Sequence, residues 1–168
     1  MPHKTWQSIQ HKVVDLELLE QRLRQWHAAR EKVVFTNGCF DILHYGHLYL
    51  LARAKDLGDH LVVAINTDSS VMRLKGPNRP INSQTTRAMQ LAALSMVDMV
   101  TYFSEDTPLA IIKRIMPDIL VKGGDYGKKD IVGAKEVEAA GGQVVTIPFQ
   151  KGYSTTELLS KLDGKAGL

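Results

Sequence analysis

The chain predicts an α/β fold, a Rossmann-like parallel sheet with helices on both faces, entered through an N-terminal helical extension. Strand-length apolar runs recur through its 168 residues, and segments with apolar residues at helical spacing separate them. The first such strand ends in a glycine and hands over to a helix that carries two histidines. In open sheets of this kind, ligands bind outside the carboxyl ends of the strands, near the point where strand order reverses.

Residues 1–15 are polar without a clear period and read as a loosely ordered lead-in. Asp15 is placed to cap a helix from Leu16 to about Ala29, with Leu16, Leu19, Leu23 and Trp26 on one stripe. Val33–Thr36 reads as a short buried strand that Gly38 breaks, and Leu48–Leu57 as the helix that follows. Further strands are expected at His60–Asn66, Asp98–Phe103, Asp118–Lys122 and Gln143–Ile147, with helices at Thr85–Met96, Pro108–Ile115 and Ile131–Ala140. Gly76, Pro77 and Pro80 make the stretch from Leu74 to Asn82 irregular, and Lys75 and Arg79 make it cationic. Such a loop is either a solvated connection or an arm that closes over phosphates. A last helix is expected at Thr155–Leu162, so one domain spans residues 16–162 and a frayed tail follows at 163–168.

The composition is that of an ordinary soluble protein, with a mild net charge of +3 and no Lys/Arg run of the kind that tracks nucleic acid. Small anionic substrates account for that bias equally well. A lone cysteine, Cys39, rules out an internal disulfide framework and fits a reducing cytoplasmic setting. Cys39 lies beside the glycine turn, where a small residue filling a tight space explains it better than a nucleophile without an evident base. No apolar run is long enough to span a membrane, and the N-terminus lacks the apolar core of a signal peptide.

His44-Tyr45-Gly46-His47 carries the chemistry. A helix N-terminus offers free N–H groups and a partial positive charge, which already favours anions. Two imidazoles at that end add donors for phosphate oxygens, and the intervening glycine removes a side chain that would hold them away. Packing or capping explains a single histidine there, but a pair flanking a glycine less easily. Zinc lacks a third ligand cluster.

Lys122-Gly123-Gly124-Asp125-Tyr126-Gly127 follows the fourth strand, where glycines permit close backbone approach to a ligand; Asp125 either holds a metal or caps the next turn. Ser154 and Glu157 form a capping box, and the hydroxyls of Ser154, Thr155 and Thr156 at a helix start equally form a phosphate site. Neither a P-loop nor a dinucleotide-binding G-x-G-x-x-G fingerprint is present.

Taken together, Thr36–Asp41, the HYGH tetrapeptide and Ser154–Thr156 resemble the cytidylyltransferase-like nucleotidyltransferases, whose HxGH fold is the expected architecture. Leu74-Lys75-Gly76, Arg79-Pro80, Glu105–Pro108 and the VKGGDY stretch more narrowly resemble the adenylyltransferase half of bifunctional heptose kinase/adenylyltransferases, from about Val13 to Leu162. The resemblance implies transfer of AMP from ATP to D-glycero-β-D-manno-heptose 1-phosphate, giving ADP-heptose and pyrophosphate for the lipopolysaccharide core. It implies Mg²⁺ as cofactor, a separate heptose kinase that supplies the acceptor, no nucleic-acid or membrane partner, and a homodimer as a plausible assembly.

By the same resemblance, His44, His47, Lys75 and Arg79 are the catalytic group. Asn37, Gly38, Cys39, Phe40, Gly46, Gly123, Asp125, Ser154, Thr155 and Thr156 line the nucleotide. Asp41, Arg87 and Lys122 face the acceptor, and Asp41 and Asp125 are the expected metal ligands. The rival readings are a cytidylyltransferase acting on glycerol 3-phosphate or another alcohol phosphate, and a nucleotide-binding regulatory module without catalysis.

Overall fold

A computed structural model describes residues 4–124, 127 and 130–148. Five parallel strands form one sheet: β1 (Val33–Gly38), β2 (His60–Asn66), β3 (Met99–Phe103), β4 (Ile119–Gly123) and β5 (Gln143–Ile147), in the order β3-β2-β1-β4-β5. Helices α1 (Lys4–Gln10), α2 (Leu16–Ala28), α3 (Tyr45–Lys55), α4 (Asp68–Lys75), α5 (Gln84–Ala92), α6 (Leu109–Ile115) and α7 (Ala134–Ala139) accompany it. The expected α/β parallel architecture is therefore the one observed.

Successive side chains of each strand enter opposite cores, which is why the strands read as continuous apolar runs. Val33, Phe35 and Leu120 join Leu19, Leu23, Ile112, Ile115 and Val137 in one core. Val34, Val63, Ile65 and Val121 join Leu51, Ala54, Ala88 and Leu91 in the other. The chain runs outward from β1 through β2 to β3, then returns to lay β4 on the other side of β1. The reversal point thus lies between β1 and β4, where the connections leave in opposite directions and open a crevice at the strands' carboxyl ends.

Several boundaries differ from the sequence reading. The lead-in is not loose: Lys4–Gln10 is helical, and Val14 N donates to Val100 O at 2.9 Å, tying the segment to β3. The polar stretch after β2 forms α4, capped by Thr67, whose hydroxyl accepts from Ser70 N, and it ends at Gly76 with φ +96°. Lys75 therefore closes a helix instead of sitting within a loop. The expected helix and tail at 155–168 lie outside the described residues.

Gly133 precedes α7 with φ +86°, and a Cβ there would come within 2.7 Å of the Ile112 side chain. Gly133→Ala should cost roughly 2–4 kcal/mol from the left-handed backbone and the overpacked contact. The check is a urea titration, in which an unchanged midpoint would contradict this packing.

Candidate active site

The crevice between β1 and β4 holds a cavity of about 400 Å³. Asn37, Gly38, Cys39 and Phe40 form its floor, with His47 from α3, Lys75 from the end of α4, and Lys122 and Gly123 from β4 around it. A smaller cavity of about 150 Å³, walled by Pro108, Asp130, Ile131 and Val132, shares Asn37 and Lys122 with it. Lys122 Nζ donates to Asn37 Oδ1 at 3.4 Å, so this cation lies at the seam between the two. Burial lowers the Lys122 pKa from its usual range.

His44 is the N-cap of α3, yet makes no side-chain capping bond, so its ring is free for another task. Gly46 and His47 follow in the first turn, and the two imidazoles stack with centroids 3.8 Å apart. Among the described residues, Nδ1 of each ring is buried without a hydrogen-bond partner. Unpaired buried polar atoms cost roughly 1–3 kcal/mol each, an expense that a bound anion or its hydroxyl neighbours can relieve. Burial pushes the His47 imidazole down to about 4, the positive charges of His44 and Lys75 push in the same direction, and the nearby Ile42 backbone opposes them. Burial also lowers His44. Near neutral pH both rings are therefore uncharged, each with one N–H to donate.

Asp41 is 2% exposed and organises the loop between α4 and α5. Its Oδ1 accepts from Ile81 N at 2.8 Å and Asn82 N at 2.9 Å, and its Oδ2 from Arg79 Nε at 2.7 Å. Arg79 Nη2 lies 2.6 Å from the same Oδ2, so the guanidinium and the carboxylate form a close ion pair. Desolvation alone would raise the Asp41 carboxyl; the Asn82 and Ile81 amides and Arg79 outweigh it and hold the pKa below its usual value. With both oxygens taken by N–H donors, Asp41 does not suit direct metal coordination, contrary to the expectation from sequence. No group of three or more His, Cys, Asp or Glu side chains is placed to hold an ion among the described residues.

Arg87 differs from expectation as well. It is fully buried, and its guanidinium donates to Cys39 O, Asn82 O and Asp68 Oδ1. Asp125, Ser154, Thr155 and Thr156 lie outside the described residues. Sequence reasoning passed over Asn66 and Ser70, both buried, which link the floor to the loop after β3: Cys39 Sγ donates to Asn66 Oδ1 at 3.6 Å, Asn66 Nδ2 to Ser70 Oγ at 3.0 Å, and Ser70 Oγ to Glu105 O at 3.3 Å. A polar residue closing an apolar strand, as Asn66 closes β2, was the available signal.

A strand, a glycine turn and a helix start bearing paired imidazoles over a cation-lined crevice make a phosphate-handling site. Residues 35–161 match the family model described as cytidylyltransferase-like. The chain is a cytidylyltransferase-like nucleotidyltransferase.

The bifunctional protein HldE of Vibrio cholerae serotype O1 (strain M66-2) is 52% identical to this nucleotidyltransferase over 155 residues, 92% of the chain but 33% of that relative. HldE of Vibrio vulnificus (strain YJ016) is 56% identical over 140 residues, 83% of the chain and 29% of its own length. The nucleotidyltransferase thus spans about a third of the curated relatives it matches. Among solved structures, a lipopolysaccharide core biosynthesis protein from Thermoplasma volcanium GSS1 superposes with a TM-score of 0.58 at 30% identity, covering 74% of this chain and 99% of that one. The family and the bifunctional relatives are those that the motifs resemble. No helix among the described residues is long and apolar enough to cross a membrane.

In the free enzyme the His47 ring should titrate with a midpoint of about 4 by NMR. The unfolded chain protonates first, near 6.5, so this histidine lowers stability as pH falls from about 6.5 to about 4 and adds nothing further below. A midpoint near the ordinary value would contradict the buried ring.

Proposed function

We propose that the enzyme transfers AMP from ATP to D-glycero-β-D-manno-heptose 1-phosphate, releasing pyrophosphate and giving ADP-heptose. The observation that carries this reading is the identity of 52% with a bifunctional HldE across 92% of the chain, HxGH tetrapeptide included. A phosphate oxygen of the acceptor attacks the α-phosphorus of ATP in line. The new O–P bond forms as the bridging bond to the β-phosphorus breaks, and pyrophosphate leaves with the electron pair. The sugar phosphate itself is the nucleophile, so the protein's contribution is alignment and charge stabilisation.

In this scheme His44 and His47 donate to the triphosphate as charge moves onto the leaving pyrophosphate. Lys75, at the cavity wall, and Arg79, held on Asp41, neutralise the phosphates on either side of the reacting centre. Gly38 and Phe40 line the nucleotide, with Ser154, Thr155 and Thr156 assigned to the β- and γ-phosphates. Lys122 and Asn37 face both substrates from the seam. Nucleotidyltransferases generally use Mg²⁺; the triphosphate oxygens would carry it, with Asp125 as the chain's candidate carboxylate. A heptose kinase activity supplies the acceptor.

The test is pyrophosphate release, with ATP and CTP each crossed against the heptose 1-phosphate and glycerol 3-phosphate. Release with ATP and the heptose phosphate alone is expected; release with CTP and glycerol 3-phosphate would overturn the substrates and keep the chemistry. His44→Ala and His47→Ala should each lower turnover by about 10²–10³ while circular dichroism and the thermal midpoint stay near wild type. Undiminished turnover in either would remove that imidazole from the mechanism.

A further inference from the structure

Arg87 lies on α5 with no exposed surface, and among the described residues it carries the only guanidinium that is fully buried. Its three bonds reach three separate segments: Nη1 to Cys39 O at 2.6 Å, Nε to Asn82 O at 3.0 Å, and Nη2 to Asp68 Oδ1 at 2.7 Å. Each segment carries a group of the site. Cys39 precedes Phe40 and Asp41; Asn82 closes the Arg79 loop and donates from Nδ2 to Asp41 O at 2.7 Å; Asp68 opens α4, which ends in Lys75. The planar fork serves the three acceptors from three separate nitrogens, whereas an ammonium carries all its donors on one.

The bond to Cys39 has the most direct consequence. The next residue, Phe40, adopts φ +46°, a left-handed backbone unfavourable for an aromatic side chain. That turn lays the Phe40 ring over Gly38, where a Cβ would sit 3.1 Å from the ring, and brings the ring centroid 5.0 Å from that of His47. A continuous path thus runs from guanidinium to carbonyl, to the turned backbone, to the Phe40 ring and on to His47.

We propose that Arg87 is a positioning residue: it holds the Cys39–Phe40 turn so that the Phe40 ring seats and covers the His47 imidazole, and it acts without touching either substrate. The proposal rests on the catalytic role assigned to His47 above, and it separates Arg87 from direct acceptor binding.

The experiment compares Arg87→Lys, Phe40→Leu and the double variant in the full chain. It reads kcat and KM for ATP, together with the NMR titration of His47 in the ligand-free protein. Each single variant should lower kcat by about 10- to 100-fold with a smaller change in KM, as expected for a misplaced catalytic group. The double variant should fall no further than the worse single one, because both changes break one path. In all three the His47 midpoint should rise from about 4 toward the ordinary value as the cover loosens.

Additive losses, or an unmoved His47 midpoint in a folded Arg87→Lys protein, would overturn the proposal. If Arg87→Lys does not fold, Asp68→Asn, which alters the carboxylate end of the same fork, carries the same readouts and should move them in the same direction to a smaller extent. The titration needs no substrate, so a wrong acceptor would leave this test intact while silencing the pyrophosphate assay.

Discussion

The carboxylate of Asp41 is buried and ionised at once, a state that water-free surroundings strongly disfavour unless hydrogen bonds replace the lost hydration. The amides of Ile81 and Asn82 and the guanidinium of Arg79 supply them. In return the carboxylate draws the loop between α4 and α5 onto the end of β1, and Asn82 fastens it by returning a bond to the Asp41 carbonyl. Arg87 secures the same two segments from below. Without that pairing of turn and loop, Arg79 would lose the carboxylate that fixes its guanidinium. The placement of Arg79 thus follows from one buried anion.

The site this frame supports is built for a ligand that brings its own charge. The His47 imidazole and the cations Lys75 and Lys122 line the crevice, His44 stacks on His47, and Nδ1 of each ring has no hydrogen-bond partner among the described residues. Neutral rings lower the repulsion between the histidines and Lys75 in the empty enzyme. A triphosphate reverses the balance, since negative charge nearby favours the protonated imidazole. The rings are therefore well suited to respond to charge that grows on a departing pyrophosphate, and the glycine between them keeps the approach open.

Much of the fold was legible in the sequence because strands covered on both faces must be apolar throughout, as Val33–Phe35, Leu61–Ile65 and Leu120–Val121 are. The helix α2 was equally legible from Asp15 and its apolar stripe. Helix α4 escaped notice because DSSVMRLK is polar over most of its surface, and its helical state owes more to the Thr67 cap and to Arg73, which bonds Asp106 and Ser104 O, than to periodicity. The HYGH pair beside a glycine turn suggested phosphate chemistry, and the resemblance of the longer motifs narrowed it. The tasks of Asp41 and Arg87 could not be read that way, since an acid and an arginine in a site-forming stretch look the same whether they face substrate or the protein. Only the packing of three distant segments shows where their bonds go.

The central claim is that this crevice aligns two phosphates for direct transfer and forms no bond to either. The most direct measurement is the stereochemical course at the α-phosphorus, followed by ³¹P NMR with a single diastereomer of ATP bearing sulfur at that position and heptose 1-phosphate as acceptor. A single in-line displacement predicts inversion of configuration in the product. Retention would mean two displacements through a nucleotidyl-enzyme and would contradict an account in which positioning and charge suffice.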